Sequence, residues 1–596
     1  MGNPEARRRP ALFLRPFKAK MFRCAARAGG SFFAACPAKP EFPRERQCIE
    51  ISNKTMFDIS KIYCKRKTIM KSGVMKSGVL NLGSRAVIMC AAAASCAAFA
   101  QEAEYVDLYY NADYNISGWG DSRYMQNPAV WNVGSQDGPL FDGEVNSASN
   151  NLYLVSQDPL TSDESVLFGY DSYNWNVHDI VIDLDSGANY RILHLVPNQK
   201  LQISGDFDIT LKSLAYWWMP ENRIALDENV SITVDGNLNV ANSTAKAEVD
   251  EGNVGQNGVK FSVSSENYMP SSFEVKGNVA FKSEDTYSYW SDNILFSLCV
   301  TSFKVGGYVD MTETRAGTFT WDLCKTANDN YFSDISVGGL EGGSALQISS
   351  AHSATVNLTF ANSSAHSYSG TLASRAGSDN KLNVTMDASD AQNGRQTLII
   401  KEGGAVEGDA AMNPSRLDSV TVLNGTLNLG AYNGLVNGDL YLGGANGRLE
   451  ISSAYTDSGT GTLAFENATF ERGTIVFTVE ETAADKIEIT GDLGKFGNGK
   501  IGVEFDADPY DIGEWILASG GDSIEYELIS FGSGSISEGD FVLGDLGGGI
   551  FANLFIRDNA LYVEFTNVPE PAAFAAMLGL LALLFAARRR GRRSFR

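Results

Sequence analysis

The chain has 596 residues and a formal net charge of −23 at neutral pH, and its charges are unevenly distributed. Residues 101–569, hereafter called the body, contain 23 basic and 65 acidic side chains, which gives this part a net charge of −42. A body this acidic repels phosphate backbones, which excludes nucleic-acid binding through it. Aromatic residues make up 11% of the chain, which is too many for a disordered protein.

The first predicted element is an export signal at residues 70–100, with a short signal helix. Basic residues precede an apolar stretch from 86 to 98, and small side chains at Ala98 and Ala100 occupy the two positions that a signal peptidase reads. We therefore expect cleavage before Gln101, where acidic side chains begin.

Residues 1–69 lie upstream of this signal. They are basic, contain four of the eight cysteines and show no sustained periodicity. We interpret them as a spurious or disordered extension, with true initiation at Met70 or Met75. An unusually long basic leader is the alternative.

The body predicts a mainly β fold, because short alternating runs are separated by Gly, Asn, Asp and Ser. Similar runs recur with a glycine at 205, 236, 277, 307 and 339, at intervals of 31, 41, 30 and 32 residues. Repeats of this length are typical of solenoids. We predict a β-solenoid (β-helix-like) domain over 201–566, preceded by a β cap region at 101–200. Stacked β-sandwiches are the alternative.

Asn-Gly pairs recur more rapidly between residues 420 and 480. Asn424-Gly425, Asn437-Gly438 and Asn446-Gly447 lie 13 and 9 residues apart. Asn-Gly is expected to supply a corner with positive φ, and the alternating residues that follow point one apolar side chain inward. The stretch resembles the autotransporter-associated β-strand repeats of secreted passenger domains. This resemblance extends only to the passenger-like part of that family.

The last strands of the body predict a hairpin. Residues 553–557 and 560–565 alternate, and Asp558-Asn559 between them is a typical two-residue turn. The hairpin is expected to close the repeat array.

The final predicted element is a three-part tail at 567–596. It begins with Val568-Pro569-Glu570-Pro571 and continues with 16 uncharged residues, 572–587. It ends in an arginine cluster, which comprises Arg588, Arg589, Arg590, Arg592 and Arg593. At roughly 1.5 Å per residue the apolar run is about 24 Å long as a helix, so the arginines would snorkel to let it span a bilayer. They would also keep the tail on the cytoplasmic side and the body outside.

This tail resembles the PEP-CTERM sorting signal. The resemblance implies export, a single transmembrane helix as a temporary anchor, and processing near Pro-Glu-Pro by an exosortase-type transpeptidase in Gram-negative bacteria that make exopolysaccharide. It therefore implies signal peptidase and that processing enzyme as partners, with extracellular polysaccharide as a further one. The expected location is the membrane first, then the cell surface or extracellular matrix.

Few residues of the body form a recognisable chemical pattern. Cys299 and Cys324 predict either a disulfide, worth about 3–4 kcal/mol, or two buried thiols. Asp506, Asp508 and Asp511 offer oxygen ligands for calcium, but we favour an ordinary polar turn, and no other cofactor is expected. The four histidines form no zinc-binding pattern, and no Gly-x-Ser-x-Gly elbow marks a catalytic serine.

Together these features predict a non-enzymatic, exported structural or adhesive β-repeat protein of a bacterial envelope or exopolysaccharide matrix. One alternative is a secreted polysaccharide lyase or hydrolase on a β-helix, which needs a suitable pair of carboxylates. Another is a carbohydrate-binding protein that uses aromatic residues such as Trp217. A groove with clustered acids, arginines and aromatics would favour the enzyme, whereas scattered acids would favour the matrix element.

Overall fold

The computed structural model describes residues 105–110, 128–156, 166–167, 174–186, 190–213, 221–244, 259–265, 270–284, 294–314, 319–324, 331–375, 377–400, 412–414, 416–430, 436–452, 460–521, 523–544, 546–547, 549–567, 577–586 and 588. The chain divides into two compact units, Met1–Glu102 and Ala103–Arg596, and all the described residues belong to the second. Several predicted residues lie outside the described ranges, namely Ala98, Ala100, Gln101, Trp217, Val568, Pro569, Glu570, Pro571, Arg589, Arg590, Arg592 and Arg593.

The body consists almost entirely of short strands. From the N-terminus to the middle of the body these are β1 (Val106–Tyr110), β2 (Trp131–Val133), β3 (Asn150–Ser156), β4 (Val166–Leu167), β5 (Trp175–Val177), β6 (Ile180–Ser186), β7 (Tyr190–Leu195), β8 (Lys200–Ile203), β9 (Phe207–Ser213), β10 (Glu221–Leu226), β11 (Val230–Val234), β12 (Leu238–Thr244), β13 (Val259–Ser265), β14 (Ser271–Val275), β15 (Val279–Glu284), β16 (Ile294–Cys299), β17 (Ser302–Val305), β18 (Val309–Met311), β19 (Phe319–Cys324), β20 (Tyr331–Val337) and β21 (Leu340–Gly342). The remaining strands are β22 (Ala345–Ile348), β23 (Ala354–Phe360), β24 (Ala365–Tyr368), β25 (Leu372–Arg375), β26 (Lys381–Asp387), β27 (Arg395–Ile399), β28 (Met412–Pro414), β29 (Leu417–Gly430), β30 (Val436–Ser452), β31 (Thr462–Phe465), β32 (Ala468–Phe470), β33 (Gly473–Thr478), β34 (Lys486–Lys495), β35 (Ile501–Asp506), β36 (Ser523–Gly534), β37 (Phe541–Leu543), β38 (Ile550–Arg557) and β39 (Ala560–Asn567).

From β3 to β26, each strand pairs with the one three positions later in the chain, so these strands stack on three faces of a solenoid. Face one runs β4, β7, β10, β13, β16, β19, β22, β25, and ends with β28 added antiparallel. Face two runs β5, β8, β11, β14, β17, β20, β23, β26 and the first half of β29. Face three runs β1, β3, β6, β9, β12, β15, β18, β21, β24, β27 and the second half of β29.

This parallel stacking confirms the predicted mainly β, solenoid-like body and argues against stacked sandwiches, whose sheets are antiparallel. The parallel ladder already begins with β1 and β3, so coils are present within the region 101–200 assigned to a cap. Strand β2 pairs antiparallel with β1 at this end of the stack.

Alternating burial fixes the register of the faces. In β23, Ala354, Val356, Leu358 and Phe360 are buried, whereas the residues between them are only partly buried. A shift of one residue would turn the apolar set outward, so the inward side chains specify the pairing. Face two follows the same rule along β11, β14 and β17.

The inward side chains of the faces meet in one continuous apolar core. The ring of Phe281 on face three lies 4.8 Å, centroid to centroid, from both Phe296 and Phe319 on face one. On face two, the rings of Phe273 and Phe303 lie 5.5 Å apart, centroid to centroid, and are tilted by 58°. A single coil could not bury such rings alone, so stacking of coils creates the core.

The corner between faces two and three explains the recurring glycines. The series consists of Gly205, Gly236, Gly277, Gly307 and Gly338. The backbone N–H of each glycine after the first donates to the carbonyl of the glycine in the preceding coil, at 2.6–2.9 Å. We expected Gly339 as the fifth member of the series, and this prediction was wrong by one residue. The reason is that Val305 pairs with Val337 but Val309 pairs with Leu340, so this corner is one residue shorter than the one before it.

A ladder of Asp and Asn side chains follows these glycines. A side-chain oxygen of each member accepts the backbone N–H of the next, at 2.7–3.1 Å, along Asp179, Asp206, Asn237, Asn278 and the N–H of Tyr308. Each side chain crosses the glycine of the following coil, where a Cβ would overlap its oxygen. These glycines therefore allow the Asp or Asn side chain of the preceding coil to approach closely. They do not adopt positive φ.

The rapid Asn-Gly repeats occupy two corners of the same coils. Asn424-Gly425 pairs with Asn446-Gly447, 22 residues later. The intervening Asn437-Gly438 lies at a different corner, where a Cβ on Gly438 would overlap the carbonyl of Asp418. Gly425 has the expected positive φ (79°). The expectation was wrong for Gly438 and Gly447, where glycine instead allows a neighbouring backbone to approach closely.

The C-terminal end of the solenoid is closed by antiparallel strands and one helix. The predicted hairpin is confirmed as β38 and β39, with Asp558 and Asn559 both at positive φ in the turn. Helix α1 (Pro509–Ala518) was missed by the sequence interpretation, which favoured a polar turn there. Its Ile512 and Ile516, one turn apart, are buried against the core.

Residues 577–586 are helical and exposed, and Arg588 is also helical and exposed. Within the described ranges, no helix is both long enough and apolar enough to cross a membrane.

Candidate functional site

The site with the most specific chemistry lies where the ladder of face three opens. Strands β21 and β24 share a single paired position, Gly342 with Tyr368. The N–H and the carbonyl of Leu340 instead bond the side chain of Gln396 from the next strand, β27, each at 3.0 Å. Because the buried Gln396 side chain bonds Leu340, β24 pairs with β21 only at its last residue, while all four of its residues stay paired with β27.

An open pocket of about 380 Å³ occupies this position. Its lining residues are Thr312, Glu341, Ala365, His366, Ser367, Arg395 and Thr397. The pocket thus combines a carboxylate, an imidazole, a guanidinium and hydroxyl groups on one face of the solenoid.

Three side chains at the pocket form a continuous hydrogen-bonded relay. The Oγ atom of Ser364 lies 3.0 Å from Nε2 of His366, and Nδ1 of the same ring lies 2.8 Å from Oε1 of Glu341. The two ring nitrogens thus have different partners, a hydroxyl on one side and a carboxylate on the other. Such an arrangement can accept a proton from the serine and stabilise the imidazolium that results.

The His366 ring is fixed by its surroundings. It stacks on Tyr308 with 5.0 Å between ring centroids and 27° between planes. It also fills the space over Gly339, where a Cβ would overlap the ring carbons. Burial, with the nearby Asp310 and Glu341 carboxylates, raises the pKa of Tyr308, so this ring stays neutral.

A string of ion pairs runs from the pocket along face three. Arg395 Nη2 lies 2.5 Å from Glu450, whose other oxygen lies 3.1 Å from Arg448 Nε. Arg448 Nη1 lies 2.5 Å from Glu504, which is on β35, two strands further along the stack. Burial lowers the pKa of Arg448, but its bonds to Glu504 and Glu450 outweigh that effect and raise it. The Arg448 guanidinium is therefore held in place and remains charged.

The predicted calcium residues are not brought together as a site. Asp508 is the N-cap of helix α1, where its Oδ1 accepts the N–H of Tyr510 at 2.9 Å, and Asp511 lies in the first helical turn. Asp506 ends β35. Across the described ranges, no group of three or more His, Cys, Asp or Glu side chains is placed to hold a metal ion.

Cys299 and Cys324 lie at the ends of neighbouring strands of face one, and both side chains are buried. Burial, followed by the proximity of Cys299 and Asp322, raises the pKa of the Cys324 thiol well above its usual value. The thiolate is therefore disfavoured, which makes the pair unreactive toward nucleophilic chemistry. The predicted disulfide remains a prediction.

The aromatic residues near the N-terminus serve mainly the fold. Trp131 is fully buried, with Tyr110 edge-on at 5.9 Å. Tyr109 stacks on Tyr153 at 4.6 Å, a cross-strand pair of the kind that stabilises sheets.

The sequence interpretation missed the relay because no local motif marks it. Ser364 and His366 are separated by one residue, and Glu341 comes from the preceding coil. The signal that could have pointed to the site is the shortening of the coils: Val337 pairs with Phe360, 23 residues later, whereas Val305 pairs with Val337, 32 residues later.

Comparison with known proteins gives no relative from which a function could be transferred. No protein-family model matches the chain, and neither a curated protein nor a solved structure shows significant similarity to it.

Proposed function

We propose that the protein is an exported structural or adhesive element of a bacterial envelope or exopolysaccharide matrix, first anchored and then sorted through its C-terminal tail. The observation that carries the proposal is a continuous parallel solenoid with polar outward ladders on an acidic body. A solenoid with a repetitive polar surface suits a scaffold better than a compact enzyme.

The outward surface of face two illustrates this repetitive character. Asn357 Nδ2 donates to Asp334 at 2.8 Å, Asn383 Nδ2 donates to Asn357 at 2.9 Å, and Ser419 donates to Asn383 at 2.9 Å. These groups follow one another from coil to coil, at the strand spacing of about 4.8 Å. Amide and hydroxyl groups in such rows are suited to hydrogen-bond a hydrated polymer such as a polysaccharide.

Charged side chains on the same face are paired between coils. Lys276 lies 2.5 Å from Asp235, and Lys304 lies 3.0 Å from Glu274. Exposed pairs of this kind contribute little to stability, but they prevent neighbouring coils from repelling one another. The acids are spread along the faces, which favours the matrix role over an enzyme built on a carboxylate pair.

The location of the protein is proposed from the sequence signals at 70–100 and 567–596. The signal peptide would be cut before Gln101, and an exosortase-type enzyme would act near Pro569-Glu570-Pro571 after the C-terminal helix has anchored the chain. Both steps concern residues outside the described ranges.

The test of this role uses the purified body and exopolysaccharide extracted from the native host. The protein is expected to co-sediment with the polymer in a saturable manner, and a soluble protein of equal net charge serves as the control. In the host, a Pro569→Ala/Glu570→Ala variant is expected to accumulate unprocessed in the membrane fraction, whereas Ala573→Ser is processed normally. Binding equal to the control, together with a cytoplasmic location, would refute the proposal.

A further inference from the structure

We propose that Ser364, His366 and Glu341 form a hydrolytic relay that cleaves a small carboxylic ester in the pocket of face three. This activity goes beyond the scaffold role and would replace the expectation of a non-enzymatic chain. It rests on two independent observations: the ordered contacts between the three side chains, and an open pocket whose lining includes His366 and Glu341.

The exposure of the three groups suits their roles. Ser364 is exposed, so its hydroxyl is accessible to a substrate. The His366 side chain is only 9% exposed and Glu341 is 32% exposed, which shields the bond between them from water. A nucleophile that faces solvent, with its base and carboxylate behind it, is the order that acyl transfer requires.

The relay is also held rigidly before any substrate binds. Tyr308 covers one side of the His366 ring, and Gly339 lets the backbone of the neighbouring coil approach it closely. Behind the ring, buried Gln396 fixes β21 to β27 through its two bonds to Leu340. Such preorganisation lowers the entropic cost of bringing the base and the nucleophile together.

The proposed reaction is hydrolysis in two balanced steps. In the first, Ser364 Oγ forms a bond to the ester carbonyl carbon and its proton passes to His366 Nε2. The ester C–O bond then breaks, and His366 returns the proton to the leaving alcohol. In the second, water attacks the acyl-serine and gives its proton to His366, and the carboxylic acid leaves as the serine recovers its proton.

Arg395 is positioned to favour this chemistry. Its backbone N–H donates to the carbonyl of Ser364 at 3.1 Å, so its side chain starts beside the nucleophile, and it lines the same pocket. The Arg395 guanidinium is ion-paired with Glu450 through Nη2, and we assign to its other N–H groups the negative oxygen that develops during acyl transfer. The pocket of about 380 Å³ is open and shallow, which suits a short acyl group carried on a larger polar molecule rather than a long fatty acyl chain.

The direct test is labelling of the purified full chain with a fluorophosphonate probe, which forms a bond from serine oxygen to phosphorus and releases fluoride. Intact mass and peptide mapping are expected to place one adduct on Ser364. Hydrolysis of 4-nitrophenyl acetate provides the second readout. Neither readout depends on export or on polysaccharide binding, so failure here is distinguishable from failure of the scaffold proposal.

Matched variants separate the relay from general reactivity. Ser364→Ala is expected to abolish both the adduct and the hydrolysis, and His366→Gln to lower both by roughly 100-fold or more. Ser363→Ala, which removes an exposed hydroxyl beside the relay that does not line the pocket, is expected to leave both within about twofold of the parent chain. Circular dichroism verifies that each variant is folded. Labelling that is absent in the parent chain, or that persists in Ser364→Ala or in His366→Gln, would overturn the proposal.

Glu341 is a positioning residue, because it acts through His366. Glu341→Gln is expected to lower kcat by roughly 100-fold or more while KM stays unchanged, since the carboxylate supports the imidazolium only during proton transfer. Glu341→Asp, which keeps the charge, is expected to recover part of the lost kcat. Equal activity of the Gln and Asp variants would show that the carboxylate has no role in the relay.

Discussion

The corner ladder of Asp and Asn side chains depends on glycine in the following coil, and Gly205 offers the cleanest test. A Cβ at this position would overlap Oδ1 of Asp179 and lie 3.0 Å from Cε1 of His178, and the remaining close contact is again with the Asp179 carboxylate. Because Gly205 does not adopt positive φ, backbone strain adds nothing. The effect of Gly205→Ala is therefore a measure of side-chain overlap alone.

We expect Gly205→Ala to lower the free energy of unfolding by about 1–3 kcal/mol, the usual cost of overpacking a close contact. Asp179→Ala is expected to cost about 1–2 kcal/mol, because the N–H of Asp206 loses its acceptor at 2.8 Å. In the double variant the added methyl group occupies space left by the carboxylate. The second substitution is then expected to cost less than about 0.5 kcal/mol.

The assay is urea unfolding followed by circular dichroism, combined with hydrogen exchange of the Asp206 amide. Local exchange is included because coils of a solenoid need not unfold all at once. Gly539→Ala is the control, since its nearest neighbour, the Ser537 hydroxyl, lies 3.8 Å away, and it is expected to change stability by less than about 0.5 kcal/mol. An equal cost of Gly205→Ala with and without Asp179 would refute the reasoning.

Three further predictions concern stability. Burial raises the pKa of Asp485 to about 6, although bonds from Thr478 and Gly461 lower it. Since the folded pKa exceeds the unfolded one, the free energy of unfolding is expected to fall by roughly 2–3 kcal/mol as pH rises from about 4 to 7; urea midpoints across this range that are as steep in Asp485→Asn would contradict the assignment. Phe281→Ala is expected to cost about 3–5 kcal/mol, because it leaves a cavity among stacked rings, and calorimetry that finds less than 1 kcal/mol would contradict this packing. Asp508→Ala is expected to cost about 1 kcal/mol by removing the N-cap of helix α1, whereas an unchanged urea midpoint would show that the cap is unimportant.

Local pattern was sufficient to predict the repeating part of the fold. Alternating residues and recurring glycines at 205, 236, 277 and 307 indicate a solenoid because each coil repeats the same corner. The assignment of Gly339 was wrong because a corner one residue shorter shifts the ladder without changing the Val-Gly-Gly pattern. Register between distant strands, which decides this, is not visible in one coil.

Helix α1 could have been predicted from residues that we interpreted as a polar turn. Asp508 followed by Pro509 is a typical N-cap and first helical position, and Ile512 and Ile516 are spaced by one turn. The three carboxylates nearby drew the interpretation toward a turn or a calcium site. Their proximity in sequence did not produce proximity of their oxygens in the fold.

The candidate site could not be predicted from local sequence. Ser364, His366 and Glu341 meet because β24 pairs with β21 at only one position, and because the side chain of Gln396 bonds Leu340 in place of a backbone partner. Both causes are tertiary. A histidine two residues after a serine, without a glycine elbow, carries no signal of its own.

The central claim is that this acidic solenoid is an exported protein, processed at both ends. The most direct measurement is intact mass with N-terminal analysis of the protein recovered from the native envelope and medium. The account predicts a chain that begins at Gln101 and ends near Pro569. A chain that retains residues 1–69 and ends at Arg596 would contradict export and, with it, the proposed role in the matrix.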